Sequence, residues 1–222
     1  MSPAGSAALH TLLRDVQQRL ETLYDLPAQP SVNDFLIPEE AADALPGGGS
    51  RTLVNCGRDG LALGVVLDSG VTAALAQADP RTHLSRLNLG PFCTLIEEVS
   101  HFVLLLFCAR TERSATQLEL ELQAEVDKYL NVLFLLSLQN EGAVSVRLKE
   151  LLFRRYRLRH DVTAEGAVRY RSASDLAYRY CGFLEERFLR RARLVELTRE
   201  ARRFYRLGQG GKLARIRAMG AV

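Results

Sequence analysis

Two segments of the chain carry carboxylates at helical spacing and run directly into apolar residues. The first is Glu97-Glu98-Val99-Ser100-His101, and the second, from Glu121 to Asp127, reads ELQAEVD. A buried ionised side chain without a partner is strongly destabilising. We therefore expect these carboxylates to neutralise one another, to meet Lys or Arg, or to bind a metal ion.

Helix signals place the two segments on consecutive helices. Gly90-Pro91 marks a start, because proline is tolerated at the first helical position, and an apolar stripe predicts a helix over residues 91–108. Ser114 and Gln117 form a capping-box pattern that predicts a second helix over residues 114–138.

Antiparallel packing of these helices would bring the polar side chains into one layer. Residues 109–113 connect the helices, and so short a connection favours antiparallel neighbours. Counting outward from its centre places His101 level with Glu121 and Glu97 level with Glu125, with an uncertainty of roughly two residues, about 3 Å along the axis. We expect these side chains to converge as metal ligands.

The first segment resembles the HExxH helix of zincin metallopeptidases, with Glu97 in place of the first histidine. The second helix adds to the resemblance. In gluzincins, including the ImmA/IrrE-like branch, a downstream glutamate on a helix that often reads ExEAxxFA supplies the third zinc ligand, and here Glu121 to Tyr129 reads ELQAEVDKY. The degenerate motif is thus EExxH, and the resemblance covers about residues 1–138.

This resemblance implies a metal-dependent hydrolase that acts on peptide. It makes Glu98 the general base that activates a metal-bound water, and His101 a metal ligand together with Glu97 and with Glu121 or Glu125. A metal ion lowers the pKa of its bound water toward neutrality. Because Glu97 replaces a histidine, the site would be harder and more anionic, and would suit manganese or iron better than zinc.

Two other interpretations use the same residues. Glu-x-x-His on one helix with carboxylates on its neighbour is half of a ferritin-like di-iron site, although the later helices offer no second Glu-x-x-His. In the other interpretation, Glu97 pairs with His101, Glu125 pairs with Lys128, and arginines of the C-terminal half neutralise the rest. The layer would then be a buried polar network in a non-catalytic interaction protein.

Charge is distributed unevenly along the chain. Residues 1–146 carry 9 Lys/Arg against 18 Asp/Glu, and residues 147–222 carry 20 against 8. We expect the two halves to attract each other, because the basic residues alternate with apolar residues and Glu at helical spacing. The interaction hypothesis places a protein or peptide partner on Arg190, Arg191 and Arg193. Nucleic acid is not favoured, since no nucleic-acid-binding motif is found.

Periodicity elsewhere predicts one more long helix and a small sheet in the N-terminal half. Apolar steps of three and four residues predict a helix over residues 7–24. Residues 36–50 are rich in Pro and Gly and predict a loop with one short helical turn. Two β-rich runs, residues 51–56 and 61–67, predict a hairpin that turns at Asp59-Gly60.

The C-terminal half is predicted to be mainly helical. We expect a basic helix over residues 144–159, a small hairpin that turns at Glu165-Gly166, and further helix over residues 174–207. Residues 208–211 predict a helix stop with a flexible joint. Lys212 to Met219 should form a short basic helix that contacts a partner.

The fold class is therefore α+β and helix-rich. Residues 1–140 are expected to form a minimal zincin-like core, and residues 141–222 a basic helical region that packs on it. The four cysteines include no CxxC pair and predict reduced core thiols. With no apolar run near the roughly 18 residues of a membrane span and no signal-peptide pattern, we expect no membrane contact and a cytoplasmic location.

Overall fold

A computed structural model of the chain describes residues 3–42, 45, 48–57, 60–142, 147–154 and 163–219. Three predicted features lie partly outside these residues. They are the loop predicted over residues 36–50, at residues 43, 44, 46 and 47, the hairpin turn at Asp59, and half of the predicted basic helix, at residues 144–146 and 155–159.

The described residues form helices and a two-stranded antiparallel sheet, which confirms the helix-rich α+β fold class. The helices are α1 (Pro3–Tyr24), α2 (Glu39–Ala42), α3 (Ser69–Gln77), α4 (Leu89–Arg110), α5 (Gln117–Gln139), α6 (Leu148–Arg154), α7 (Ala164–Arg187), α8 (Leu194–Arg206) and α9 (Gln209–Met219). The strands are β1 (Arg51–Gly57) and β2 (Gly60–Val66), which pair from Arg51 opposite Val66 to Gly57 opposite Gly60.

Helix α5 lies at the centre of the packing. Its residues from Leu122 to Leu133 are all buried, and α4 and α7 pack along it. Helix α1 packs against α4 and α8, while both strands contact α4. One cluster of buried apolar side chains runs from Leu9 in α1 to Ile216 in α9. The first and last helices therefore contribute to the same core.

The start of α5 differs from the prediction because Thr116, and not Ser114, caps the helix. The Thr116 hydroxyl accepts a hydrogen bond from the backbone N–H of Glu119 at 3.1 Å. Arg113 pairs with the buried Glu119 carboxylate at 2.8 Å. A threonine followed by glutamate three residues later has the capping-box spacing, so the cap lies two residues after the predicted position.

The hairpin predicted at Glu165-Gly166 is wrong, since these residues belong to the first turn of α7. Thr163 caps this helix by accepting a hydrogen bond from the N–H of Gly166 at 3.1 Å. A cap of this kind stabilises a helix by about 1 kcal/mol, which is comparable with the cost of one helical glycine. The helix predicted over residues 174–207 is interrupted after Arg187, where Ala192 adopts a left-handed conformation with φ of 52°.

Helix α4 is long and apolar enough, at 22 residues, to meet the length and hydropathy requirements of a membrane span. In the structure, 56% of its most apolar 18-residue window is buried against the rest of the protein. Core helices of soluble proteins have the same composition, so one such helix does not establish contact with a membrane.

The expected attraction between the acidic and basic halves accounts for few contacts. Among ion pairs of the described residues, two join the halves, namely Arg202 with Asp25 at 3.6 Å and Lys212 with Glu119 at 3.9 Å. Most arginines of α7, α8 and α9 are exposed. The basic surface of the C-terminal half therefore remains largely available.

Lys212 holds α9 against the core. Its side chain is completely buried, and Nζ donates a hydrogen bond to Oε1 of Gln123 at 2.6 Å. The aromatic rings of Phe204 and Tyr205 lie within 6 Å of the ammonium group. Burial lowers the pKa of Lys212 to about 8, against the opposing effect of Glu119. The helix that was expected to contact a partner thus packs on its own chain.

We expect the contribution of Lys212 to stability to increase with pH. Between about pH 8 and 10.5 the unfolded chain holds a proton that the folded protein has released, so raising the pH favours the folded state. The free energy of unfolding of the wild type, minus that of a Lys212→Met variant, should rise by up to about 3 kcal/mol across this window. Urea unfolding at several pH values measures it. The corresponding difference in the free energy of unfolding for Arg14→Met should not change with pH. A difference for Lys212→Met that does not change with pH would contradict the prediction.

Candidate metal centre

Helices α4 and α5 bring together three of the four predicted metal ligands. Glu97 and His101 lie one turn apart on α4, and Glu121 lies on α5. One ligand atom from each of the three residues lies within 4.8 Å of the other two. Ligands of a first-row cation, bound at 2.0 to 2.2 Å, are separated by roughly 3.5 Å. Small side-chain rotations would therefore close these residues around an ion.

The fourth predicted ligand, Glu125, has a different partner. Its Oε1 accepts a hydrogen bond from Lys128 Nζ at 2.5 Å. Lys128 also donates to Oε2 of Glu97 at 2.9 Å and to the Tyr170 hydroxyl at 2.9 Å. Three acceptors surround the ammonium group, so the pairing of Glu125 with Lys128 required by the buried-network interpretation is present.

Glu98, the predicted general base, is buried between α4 and the sheet. Thr52 of β1 donates a hydrogen bond from its hydroxyl to Oε2 of Glu98 at 2.8 Å. The same oxygen lies 3.9 Å from Nδ1 of His101. The carboxylate is therefore placed beside the imidazole, and the sheet contributes a polar residue to the site.

The carboxylates of this layer outnumber its cations. Burial, reinforced by the charge of Glu97, raises the pKa of Glu98 to about 8 and that of Glu121 to about 7. Burial also raises the pKa of Glu125. Burial acts in the same direction on Glu97, but Lys128, His101 and Tyr170 together outweigh it, and the pKa of Glu97 lies below its usual range. Without another cation, the layer must retain protons at neutral pH.

His101 is in the state that a metal ligand requires. Burial lowers the pKa of its ring, although the charge of Glu97 and the Leu120 carbonyl oppose part of this effect. The imidazole is therefore neutral at pH 7. Its Nε2 is buried and makes no hydrogen bond of ordinary geometry with any described residue. A neutral imidazole with an unused nitrogen can accept a cation.

A pocket of about 840 Å³ opens beside the layer. Its polar side includes Glu97, Glu125, Lys128 and Tyr170, and its apolar side includes leucines of α4 and α6. Cys93 also lines the pocket, but burial raises the pKa of its thiol to about 12, so thiolate chemistry is not expected there. Glu97 belongs both to the ligand group and to the pocket wall, whereas His101 and Glu121 do not line the pocket, so the ligand group adjoins the pocket through Glu97.

Sequence reasoning missed a second polar cluster on another side of α5. Asp127 accepts hydrogen bonds from the hydroxyls of Tyr24 and Ser100, the latter at 2.6 Å, and from Nε2 of Gln123 at 2.9 Å. Glu119, Gln123 and Asp127 recur every four residues, and this spacing was the available signal. The cluster ties α1 and α4 to α5. The expected register places Ser100 level with Leu122, so its contact with Asp127 lies five residues further along α5.

Comparison of the chain with protein-family models, with curated proteins and with solved structures finds no match. No family is therefore assigned, and the resemblance to zincins rests on the motif residues alone.

Replacing Lys128 with Met should destabilise the protein by about 3 to 5 kcal/mol, because Glu97 and Glu125 would lose the buried cation between them. Chemical unfolding measures this loss. The matched control is Arg190→Met, which removes a cation from a pair with Glu186 in which both side chains are more than 60% exposed, and should cost less than about 1 kcal/mol. Equal effects of the two substitutions would show that the Lys128 contacts contribute no more than a surface pair.

Proposed function

We propose that Glu97, His101 and Glu121 form a divalent-cation site that supports hydrolysis of a peptide bound in the adjacent pocket. The observation that carries this proposal is the approach of the three ligand atoms to within 4.8 Å of one another. The unused nitrogen of His101 and the excess of carboxylate over cation support it.

The ligand set combines two carboxylates with one imidazole. Lys128 and Tyr170 both contact Oε2 of Glu97, which leaves Oε1 for the cation. Glu121 supplies the ligand from α5, since Glu125 is held by Lys128. Mixed oxygen and nitrogen ligands suit manganese or iron as well as zinc. The cation would supply Lewis acidity and a bound water of lowered pKa.

Glu98 is proposed as the general base. Its carboxylate lies beside His101 and is oriented by the Thr52 hydroxyl. A nearby dication favours the ionised form of a carboxylate, so an occupied site would lower the raised pKa of Glu98 and leave it able to accept a proton.

The pocket is of a size that accommodates a short peptide segment. Leu89, Leu151 and Leu152 offer an apolar wall for a side chain. Pockets of several hundred Å³ with a few convergent polar groups are typical of small-ligand and substrate sites.

The first test is the metal content of the wild type after equilibration with zinc, manganese or ferrous ion, measured by elemental mass spectrometry. We expect about one equivalent of one of these ions, and a rise in melting temperature when it binds. His101→Ala and Glu121→Gln should each weaken binding at least 100-fold, whereas His10→Ala, which changes an exposed histidine on α1, should not. A wild type that binds none of the three ions would contradict the proposal.

Glu98→Gln tests the hydrolytic step separately. If Glu98 is the general base, the variant should keep its metal and lose roughly 100-fold or more of the hydrolysis of a fluorogenic peptide library. If the variant instead loses metal affinity by about 10- to 100-fold, Glu98 acts by orienting His101 and the general-base assignment is wrong.

A second candidate function is favoured by the contacts of Lys128. Its ammonium group is surrounded by Glu97, Glu125 and Tyr170 of α7, as expected for a buried network that fixes helix packing. In that case the protein is a non-catalytic interaction protein, and the metal measurement above would find no ion.

A further inference from the structure

A groove of about 740 Å³ lies between the end of α7, the turn at Leu189–Arg191, α8 and α9. None of its lining residues belongs to α4 or α5, so it is separate from the candidate metal centre. Six arginines and three glutamates line it. The groove therefore has an excess of positive charge.

Two of these arginines are neutralised within the groove. Arg215 makes a bidentate pair with Glu200 at 2.9 and 2.7 Å, and Arg193 pairs with Glu196 at 2.9 Å. The other four are exposed and form no ion pair with any residue that the structure describes. They are Arg187, Arg191, Arg199 and Arg203.

Four unpaired guanidinium groups around one concave surface repel one another, and an anion between them would relieve this repulsion. The start of α8 adds to the positive potential. Its N-cap residue, Arg193, supplies no side-chain cap, and a helix N-terminus carries a partial positive charge. The Glu196 carboxylate accepts a hydrogen bond from its own backbone N–H and so neutralises part of this positive end.

Apolar side chains form another part of the groove wall. The rings of Phe183 and Phe188 meet edge to face, with centroids 5.7 Å apart, and Ala218 and Met219 of α9 lie in the same lining. An aromatic ring of a ligand would pack against this wall while its charged end met the arginines.

We propose that this groove binds a nucleoside phosphate, with the phosphate groups on the unpaired arginines and the base against Phe183 and Phe188. Arginine suits this role because its planar guanidinium group donates two parallel hydrogen bonds to phosphate oxygens. The volume matches that of small-molecule sites. Glu186 and Glu196 in the lining interrupt the positive surface and disfavour the continuous backbone of a nucleic acid.

Calorimetric titration with adenosine triphosphate, without added divalent cations, tests the proposal. We expect saturable 1:1 binding that is at least 10-fold tighter than that of inorganic phosphate or of adenosine. A variant carrying Arg199→Ala and Arg203→Ala should bind at least 10-fold more weakly. The matched control carries Arg14→Ala and Arg171→Ala, two exposed arginines outside the groove, and should bind like the wild type.

Three results would overturn the proposal. The first is no saturable binding of the nucleotide by the wild type, and the second is an equal loss in both double variants. The third is binding of a single-stranded oligonucleotide or an acidic peptide that is tighter than nucleotide binding and depends on Arg199 and Arg203, which would assign the groove to a macromolecular partner. Melting temperatures of both double variants near that of the wild type establish that all the proteins compared are folded.

Discussion

The rest of the structure depends on a helix that is buried on every side and yet carries polar residues. Between Leu122 and Leu133, α5 exposes almost nothing to solvent. A buried polar group without a partner is strongly destabilising, and Gln123, Asp127 and Lys128 of α5 find partners on neighbouring helices, while Asn131 donates to a carbonyl of α5 itself. Each of the four neighbouring helices supplies at least one hydrogen-bond partner to these side chains. The partners are Tyr24 of α1, Glu97 and Ser100 of α4, Tyr170 of α7 and Lys212 of α9.

The two polar clusters on α5 meet this requirement differently. Around Asp127, hydroxyl and amide donors surround one carboxylate and oppose the effect of burial, which still raises the pKa of Asp127 to about 6. Around Lys128, several carboxylates share a single ammonium group, and burial with mutual repulsion raises the pKa values of Glu98 and Glu121. The second cluster is therefore where an added cation would have the larger effect, and a pocket opens beside it.

The C-terminal helices contribute to the core through one face and present arginines on the other. Leu197, Phe204 and Ile216 are buried, while few of the surrounding arginines reach the acidic half. One helix can have both properties because its period of 3.6 residues places apolar residues on one face and basic residues on the opposite face. The basic composition of this region is thus compatible with a compact fold and with a separate anion-binding surface.

Helices α1, α4, α5 and α9 and the hairpin are predictable from local patterns, because strong apolar periodicity and start and stop signals act within one segment. The short connection between α4 and α5 also predicted antiparallel packing that placed His101 level with Glu121, whereas Glu97, predicted level with Glu125, lies with His101 and Glu121 in the ligand group. Local spacing was compatible both with pairing of Glu125 and Lys128 and with a metal-ligand role for Glu125, and the packed helices show the pairing, with Glu97 and Tyr170 as further acceptors. The contact of Thr52 with Glu98 was not predicted, because it joins distant segments whose approach no local pattern encodes.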